Sequence, residues 1–189
     1  CDGFPDTSNI LLIMKTGASE AWNKIPTHLS TNLRCKEDFL IFSDMAQIID
    51  DVPVHDSLNS VLPELSGHHP DFELYRRQQS CPIDQATCNK EENYAEEGWA
   101  LDKYKNIHMA EKSYAIRPDF DWYLFVDADS YVVWPTMVEW LKRIDAHRKI
   151  YAGSRAMLGD LPFAHGGSGY LVSKALMENM FGVRTSVAN

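Results

Sequence analysis

Between Asp121 and Pro135 the sequence reads DWYLFVDADSYVVWP, and no other stretch so narrows the folds open to this chain. Trp122 to Val126 is an unbroken run of five aromatic or aliphatic residues. It is too short for a helix of its own and reads as a strand buried on both faces, as in an α/β sheet. The run stops at Asp127, and Asp129 follows two residues later. A buried strand that ends in two carboxylates delivers them to the carboxyl edge of the sheet, where open α/β folds place their ligands. Carboxylates this close repel each other unless a cation lies between them, and oxygen-only ligands select a hard ion such as Mg²⁺, Mn²⁺ or Ca²⁺. The plainer reading is a cap on the helix that follows. A cap accounts for one Asp, not for two flanking Ala128.

The flanking pattern supports the α/β reading. Asn9 to Lys15 (NILLIMK) is a first buried strand ended by Thr16-Gly17, with Ser19 as N-cap of a helix from Glu20 to Asn32. Pro26 falls inside that helix and predicts a kink or a later start. Phe39 to Ser43 is a second apolar strand, so the unit is βαβ and favours a parallel sheet. Gly17 leaves backbone room for a ligand, as at a nucleotide site. From residue 45 to 97 periodicity fades under four prolines and two acidic pairs. That region reads as an irregular insertion with a helix near Asp71 to Gln79. His55, His68 and His69 fall in it as solvated loop residues, because adjacent histidines point apart in regular structure.

Order returns at Gly98 to Ile116, where Ala100, Tyr104, Ile107, Ala110 and Tyr114 form one apolar helix face. Lys103 and Lys105 lie near its start. A helix from Pro135 to Ala146 follows the aspartates, with Met137, Trp140, Leu141 and Ile144 as its apolar stripe. Ile150 to Gly153 reads as a short strand and Met157 to Pro162 as a loop. In Phe163 to Lys174, FAHGGSGYLVSK, three glycines stand within four positions (Gly166, Gly167 and Gly169). Such a run suits close backbone approach to a substrate or positive φ, or else a turn between strands. It is not a P-loop, which needs Gly-Lys-Ser/Thr. Ser173 caps a last helix, KALMENMF, closed by Gly182.

The chain has 189 residues, enough for one domain with a substantial core, and a net charge of −9. That charge, with no basic stripe, argues against nucleic acid and against docking on an anionic membrane. A nucleotide diphosphate remains compatible if a divalent ion supplies positive charge. No transmembrane run or signal peptide is present. The chain opens at Cys1 rather than Met, so a piece of a longer protein is expected, with any anchor upstream. Four cysteines allow three pairings. Cys81 and Cys88 bracket a turn-rich loop suited to a local disulfide, which leaves Cys1–Cys35 and a secretory compartment; the rival is four free thiols in a cytosolic enzyme.

Taken together, DWYLFVDADSYVV and FAHGGSGYLVSKAL resemble the Fringe and core-1 β1,3-galactosyltransferase group, glycosyltransferase family 31, most strongly its fungal-type members. ILLIMKTG, LRC and the Trp99 to Met109 helix also fit, and the likeness runs from about residue 9 to 182. It implies a GT-A (Rossmann-like) α/β fold with a mostly parallel sheet, a UDP-sugar donor, Mn²⁺ (or Mg²⁺), and a glycan or glycoprotein acceptor. It further implies a type II membrane protein of the Golgi lumen. Residue by residue, Asp129 looks like the metal-binding last Asp and Asp127 like the first, on the donor ribose or on the metal through water, with Ala128 replacing a middle Asp. Thr16, Gly17 and Arg34 match donor-side positions, and Lys105 matches the helix lysine better than Lys103. His165, Gly166 and Gly167 look like the segment beside the transferred sugar and acceptor. Relatives often carry other residues at Ser130 and His165.

The family's catalytic base and a metal-binding His lie well downstream of the glycines. Both are expected beyond Asn189, leaving a domain truncated at its C-terminus and inactive or only donor-competent. Two other readings stand beside the transferase. One is a haloacid dehalogenase-like phosphohydrolase with Asp127 as nucleophile. The other is a non-catalytic glycan-binding or assembly relative.

Overall fold

The computed structural model describes residues 1–81, 85 and 94–182. Its centre is a seven-stranded mixed sheet in the order β3-β4-β2-β1-β5-β9-β6. The strands are β1 (Ile10–Lys15), β2 (Phe39–Ser43), β3 (Gln47–Ile49), β4 (Val52–Asp56), β5 (Trp122–Asp127), β6 (Tyr151–Gly153) and β9 (Tyr170–Ser173). β4, β2, β1 and β5 are parallel neighbours, whereas β3 and β9 run antiparallel to the strands beside them. Five of the seven strands thus point one way. This is the α/β, GT-A-type arrangement.

β1 and β5 are apolar up to their last residues, Lys15 and Asp127, because they sit mid-sheet with helices on both faces. Ile10, Leu12, Met14, Trp122, Leu124 and Val126 meet α1 (Ala18–Ser30) and α5 (Trp134–Leu141) on one face. Leu11, Ile13, Tyr123 and Phe125 meet the long helix α4 (Tyr94–Ile116) and the last helix, α6 (Lys174–Phe181), on the other. The period of two in side-chain direction makes an unbroken apolar run two core faces. Phe125 stacks on Tyr170 of β9 at 4.6 Å between ring centroids.

Several elements depart from expectation for identifiable reasons. α1 starts at Ala18, not Glu20, and Ser19 is not its cap; Asp44 Oδ1, at the end of β2, accepts the Ala18 N–H at 2.6 Å. A cap supplied by another strand leaves no local signal. The helix also continues through Pro26. Residues 47–56 are not irregular but form the β3–β4 hairpin, whose two-residue turn puts Asp50 and Asp51 at φ 48° and 63°. That turn type usually carries Asn-Gly or Asp-Gly, so Asp-Asp hid it. His55 accordingly lies in β4, half-buried against Phe42, rather than in a solvated loop. α2 (Pro63–His68) and α3 (Glu73–Ser80) follow, joined by the 3₁₀ turn Pro70–Phe72.

α4 is rotated from its expected face. Leu101, Lys105, His108 and Met109 are buried, whereas of the expected stripe only Ala110 is. The helix is wedged between the sheet and a cluster of Leu58, Val61, Phe72 and Leu74, and three of its inward positions (Lys105, His108 and Ser113) are polar, so hydrophobic periodicity misplaces it. α5 ends at Leu141 rather than Ala146, and Trp140 is exposed. Residues 157–162 are not a plain loop but part of the hairpin β7 (Arg155–Leu158) and β8 (Leu161–Ala164), turning at Gly159 with φ 58°. Ser173 caps α6 as expected, its Oγ accepting the Leu176 N–H at 3.4 Å.

Cys1 and Cys35 form a disulfide. Cys81 is disulfide-bonded as well, and Cys88 lies outside the described residues. Among the described residues no helix is long and apolar enough to cross a membrane.

Candidate active site

The strand order reverses direction between β1 and β5, and a cleft of about 260 Å³ opens there at their carboxyl ends. Ligand sites of open α/β sheets sit at such points because the flanking crossovers leave on opposite faces. Lys15 and Asp127 are in register as the last residues of β1 and β5. Both point toward α4, as Leu11 and Phe125 do.

A chain of ion pairs runs along the cleft floor. Lys15 Nζ lies 2.6 Å from Asp102 Oδ2 and 3.3 Å from Asp127 Oδ1. Lys105 Nζ lies 3.1 Å from Asp102 Oδ1 and 3.7 Å from Asp44 Oδ1. Burial pushes the Lys105 ammonium down, but Asp44 and Asp102 outweigh it and its pKa is raised. Burial pushes Asp102 up, yet Lys105 and Lys15 hold it below the usual carboxylate range. Asp127 goes the other way: burial raises it, Lys15 opposes, and Asp102 adds to the rise. The strand thus delivers a carboxylate whose charge is costly where it stands.

The turn after β5 is held from three sides. The Ala128 N–H donates to Lys15 O at 2.8 Å and the Ser130 N–H to Asp127 O at 2.9 Å. His28 Nε2, on α1, is 2.9 Å from Ala128 O. A carbonyl only accepts, so Nε2 carries the proton. Further along, the Val132 N–H donates to Asn32 Oδ1 at 3.3 Å and Trp134 Nε1 to Asn32 O at 3.0 Å. Asp129 is left exposed at the cleft rim.

The glycine segment closes over the same place. Ser130 Oγ donates to Gly167 O at 3.0 Å, and a Cβ on Gly167 would lie 3.7 Å from Asp127 Oδ2. Gly169 has φ 78°, and a Cβ there would meet Phe125 O at 3.1 Å, so the turn needs glycine twice over. His165 is exposed, its Nδ1 2.9 Å from Ser168 Oγ.

The Asp127–Asp129 turn and the glycine turn, distant in sequence, are therefore one structure at the sheet edge. A family model described as Fringe-like matches residues 69–188, well over half of the chain. The chain belongs to the Fringe-like family. Fringe-like proteins are glycosyltransferases, so the sugar-transferase reading stands at that level. The match takes in both turns and α4, whereas β1 to β4 of this Fringe-like chain lie before it. No curated protein matches the chain.

Of the expected site residues, the Fringe-like fold brings Thr16, Gly17, Lys105, Asp127, Ala128 and Asp129 to one cleft. Gly166, Gly167 and His165 adjoin it. Arg34 is not brought there: it is exposed past the end of α1, beside the Cys1–Cys35 bond. Lys105 rather than Lys103 faces the cleft, since Lys103 is exposed and pairs with Asp71 at 2.5 Å. Lys15, Asp44, Asp102 and His28 also belong to the site, and no local motif marks them. A Lys closing an apolar strand and a His mid-helix look ordinary until their distant partners, Asp102 and Asp127 for the one and Ala128 for the other, are known.

The cleft is lined by three lysines (Lys15, Lys24, Lys105) and five carboxylates (Glu20, Asp44, Asp102, Asp127, Asp129), a surplus of two negative charges. Among the described residues no group of three or more His, Cys, Asp or Glu is placed to hold a metal. The donor set fits a hard dication that takes two protein carboxylates and fills its shell from a diphosphate and water.

Proposed function

We propose that this chain binds a UDP-sugar in the β1–β5 cleft and transfers a hexose or N-acetylhexosamine to a hydroxyl of a glycan or glycoprotein. The transfer inverts the anomeric carbon and makes a β1,3-type linkage. The observation that carries the reading is the Ser130–Gly167 hydrogen bond, which joins the two-carboxylate turn to the glycine turn. Asp127 and Asp129 would hold Mn²⁺ or Mg²⁺, which when bound offsets charge on the departing nucleoside diphosphate.

The remaining roles belong to the chain. Thr16 and Gly17, between β1 and α1, present backbone to the donor, and Gly17 leaves the approach open. Lys15 and Lys105 hold Asp127 and Asp102 in place while the donor is bound. Gly166 and Gly167 let the sugar lie against backbone, with His165 at the rim. The acceptor oxygen bonds to the anomeric carbon as the bond to UDP breaks, UDP departs, and the hydroxyl proton passes to a general base. No described residue is assigned as base. The neighbouring groove between Trp140 and Gly153 has no charged lining residue and suits a neutral acceptor. A secretory, Golgi-lumen location is supported by the Cys1–Cys35 disulfide.

Calorimetric titration of UDP with and without Mn²⁺ tests the reading. Metal-dependent binding in the wild type, lost in Asp129→Asn at unchanged melting temperature, is expected. UDP binding indifferent to metal, or to that substitution, would refute it.

A further inference from the structure

Among the described residues, Gln78 is the one cleft-lining side chain whose polar atoms are both buried and both without a hydrogen-bond partner. It lies on α3 and is 1% exposed. Its neighbours of the same type do not share this state. Gln79 Nε2 donates to Asp44 O at 3.2 Å, and Gln85 Nε2 to Cys81 O at 2.5 Å and to the Gln78 carbonyl at 3.2 Å. A buried amide left unpaired at both ends carries the full desolvation penalty of two polar groups, so it marks either strain or a place kept for a ligand.

The surroundings favour a ligand. Gln78 lines the cleft together with Leu74 on α3 and with Ala95, Gly98 and Trp99 at the start of α4. None of these is charged, whereas Lys15, Asp44 and Asp127 stand at the ends of β1, β2 and β5, with Asp102 and Lys105 of α4 paired to them. The cleft is therefore split into a charged part that suits a diphosphate and a neutral part that suits a flat heterocycle. Trp99 is 80% exposed on that neutral side and offers an aromatic face. A carboxamide presents one donor and one acceptor side by side, the complement of a ring N–H next to a ring carbonyl.

We propose that Gln78 reads the imide edge of a pyrimidine base in the bound nucleotide, Nε2–H donating to a ring carbonyl and Oε1 accepting from N3–H. Trp99 supplies the stacking surface. This rests on the nucleotide-sugar reading of the cleft and goes beyond it by naming the group that selects the base.

The test compares UDP with UDP methylated at N3, by calorimetry with Mn²⁺ on the full chain. Wild type is expected to prefer UDP at least tenfold. Gln78→Leu, which removes the unpaired amide at similar size, is expected to keep or raise the melting temperature. It should also weaken UDP about tenfold and bind the two nucleotides equally. Trp99→Ala should weaken both by a similar factor and preserve the preference. If Gln78→Leu keeps the wild-type preference, the proposal is overturned while the nucleotide reading survives. If the wild type binds neither nucleotide, both fall together.

Discussion

Lys15 and Asp127 are paired in register as the last residues of adjacent parallel strands, with Nζ 3.3 Å from Oδ1. The same ammonium is 2.6 Å from Asp102, so one buried cation serves two carboxylates that arrive from a strand and a helix. Lys15→Met should leave those carboxylates facing each other with only Lys105 nearby. A loss of about 1–3 kcal/mol is expected, less than for a fully buried pair because Asp102 is partly exposed. Denaturant titration measures it, and a variant as stable as wild type would show that the pair contributes no net stability.

Asp127 gives a pH signature. Burial holds its folded pKa above the ordinary 3.8, against the pull of Lys15. Between those two values the folded state binds more protons than the unfolded one, so this group's contribution to stability falls as pH rises through the window. Asp127→Asn is therefore expected to melt higher than wild type at neutral pH, with the difference shrinking as pH falls toward 3.8. Melts at several pH values check this; a constant difference contradicts it. The same variant should lose metal-dependent UDP binding.

His28 positions the turn between the two aspartates through its bond to Ala128 O. His28→Leu is expected to speed amide exchange at 129–132 and to weaken UDP binding with Mn²⁺ about tenfold, roughly 1.4 kcal/mol. His28→Gln, which keeps a donor at similar reach, should restore most of both. Equal damage from the two variants would mean that bulk, not the hydrogen bond, is what matters.

The Cys1–Cys35 bond closes a loop across a separation of 34 residues. Chain entropy puts its contribution at about 3–4 kcal/mol. The Cys1→Ser, Cys35→Ser double variant should lose close to that in a denaturant titration. Because neither cysteine lines the cleft, the variant's affinity for UDP should be unchanged under conditions where it stays folded.

Much of the architecture was legible because burial on two faces leaves a plain mark. The runs at 10–14, 39–42 and 122–126 are apolar without alternation, and each became a strand of the central sheet. The D-A-D and glycine stretches were legible for a different reason: few structures need two carboxylates after a buried strand, or three glycines in four positions. What escaped were elements whose signal lies elsewhere in the chain. The Asp50-Asp51 hairpin turn takes a backbone conformation those residues seldom adopt. α4 was misjudged because Lys105 and His108 face inward, where periodicity expects apolar residues.

From residue order alone came four strands of the sheet, its two-carboxylate strand end and the family to which both turns point. Folding decided the partnerships: Asp44 as the cap of α1, His28 on Ala128, Lys15 between Asp102 and Asp127, and Arg34 away from the cleft. The physical reason is range. Strand burial and turn chemistry act over a few neighbours and are written locally, whereas an ion pair or a carbonyl–imidazole bond depends on atoms that only the closed sheet and its two helix layers bring within 4 Å.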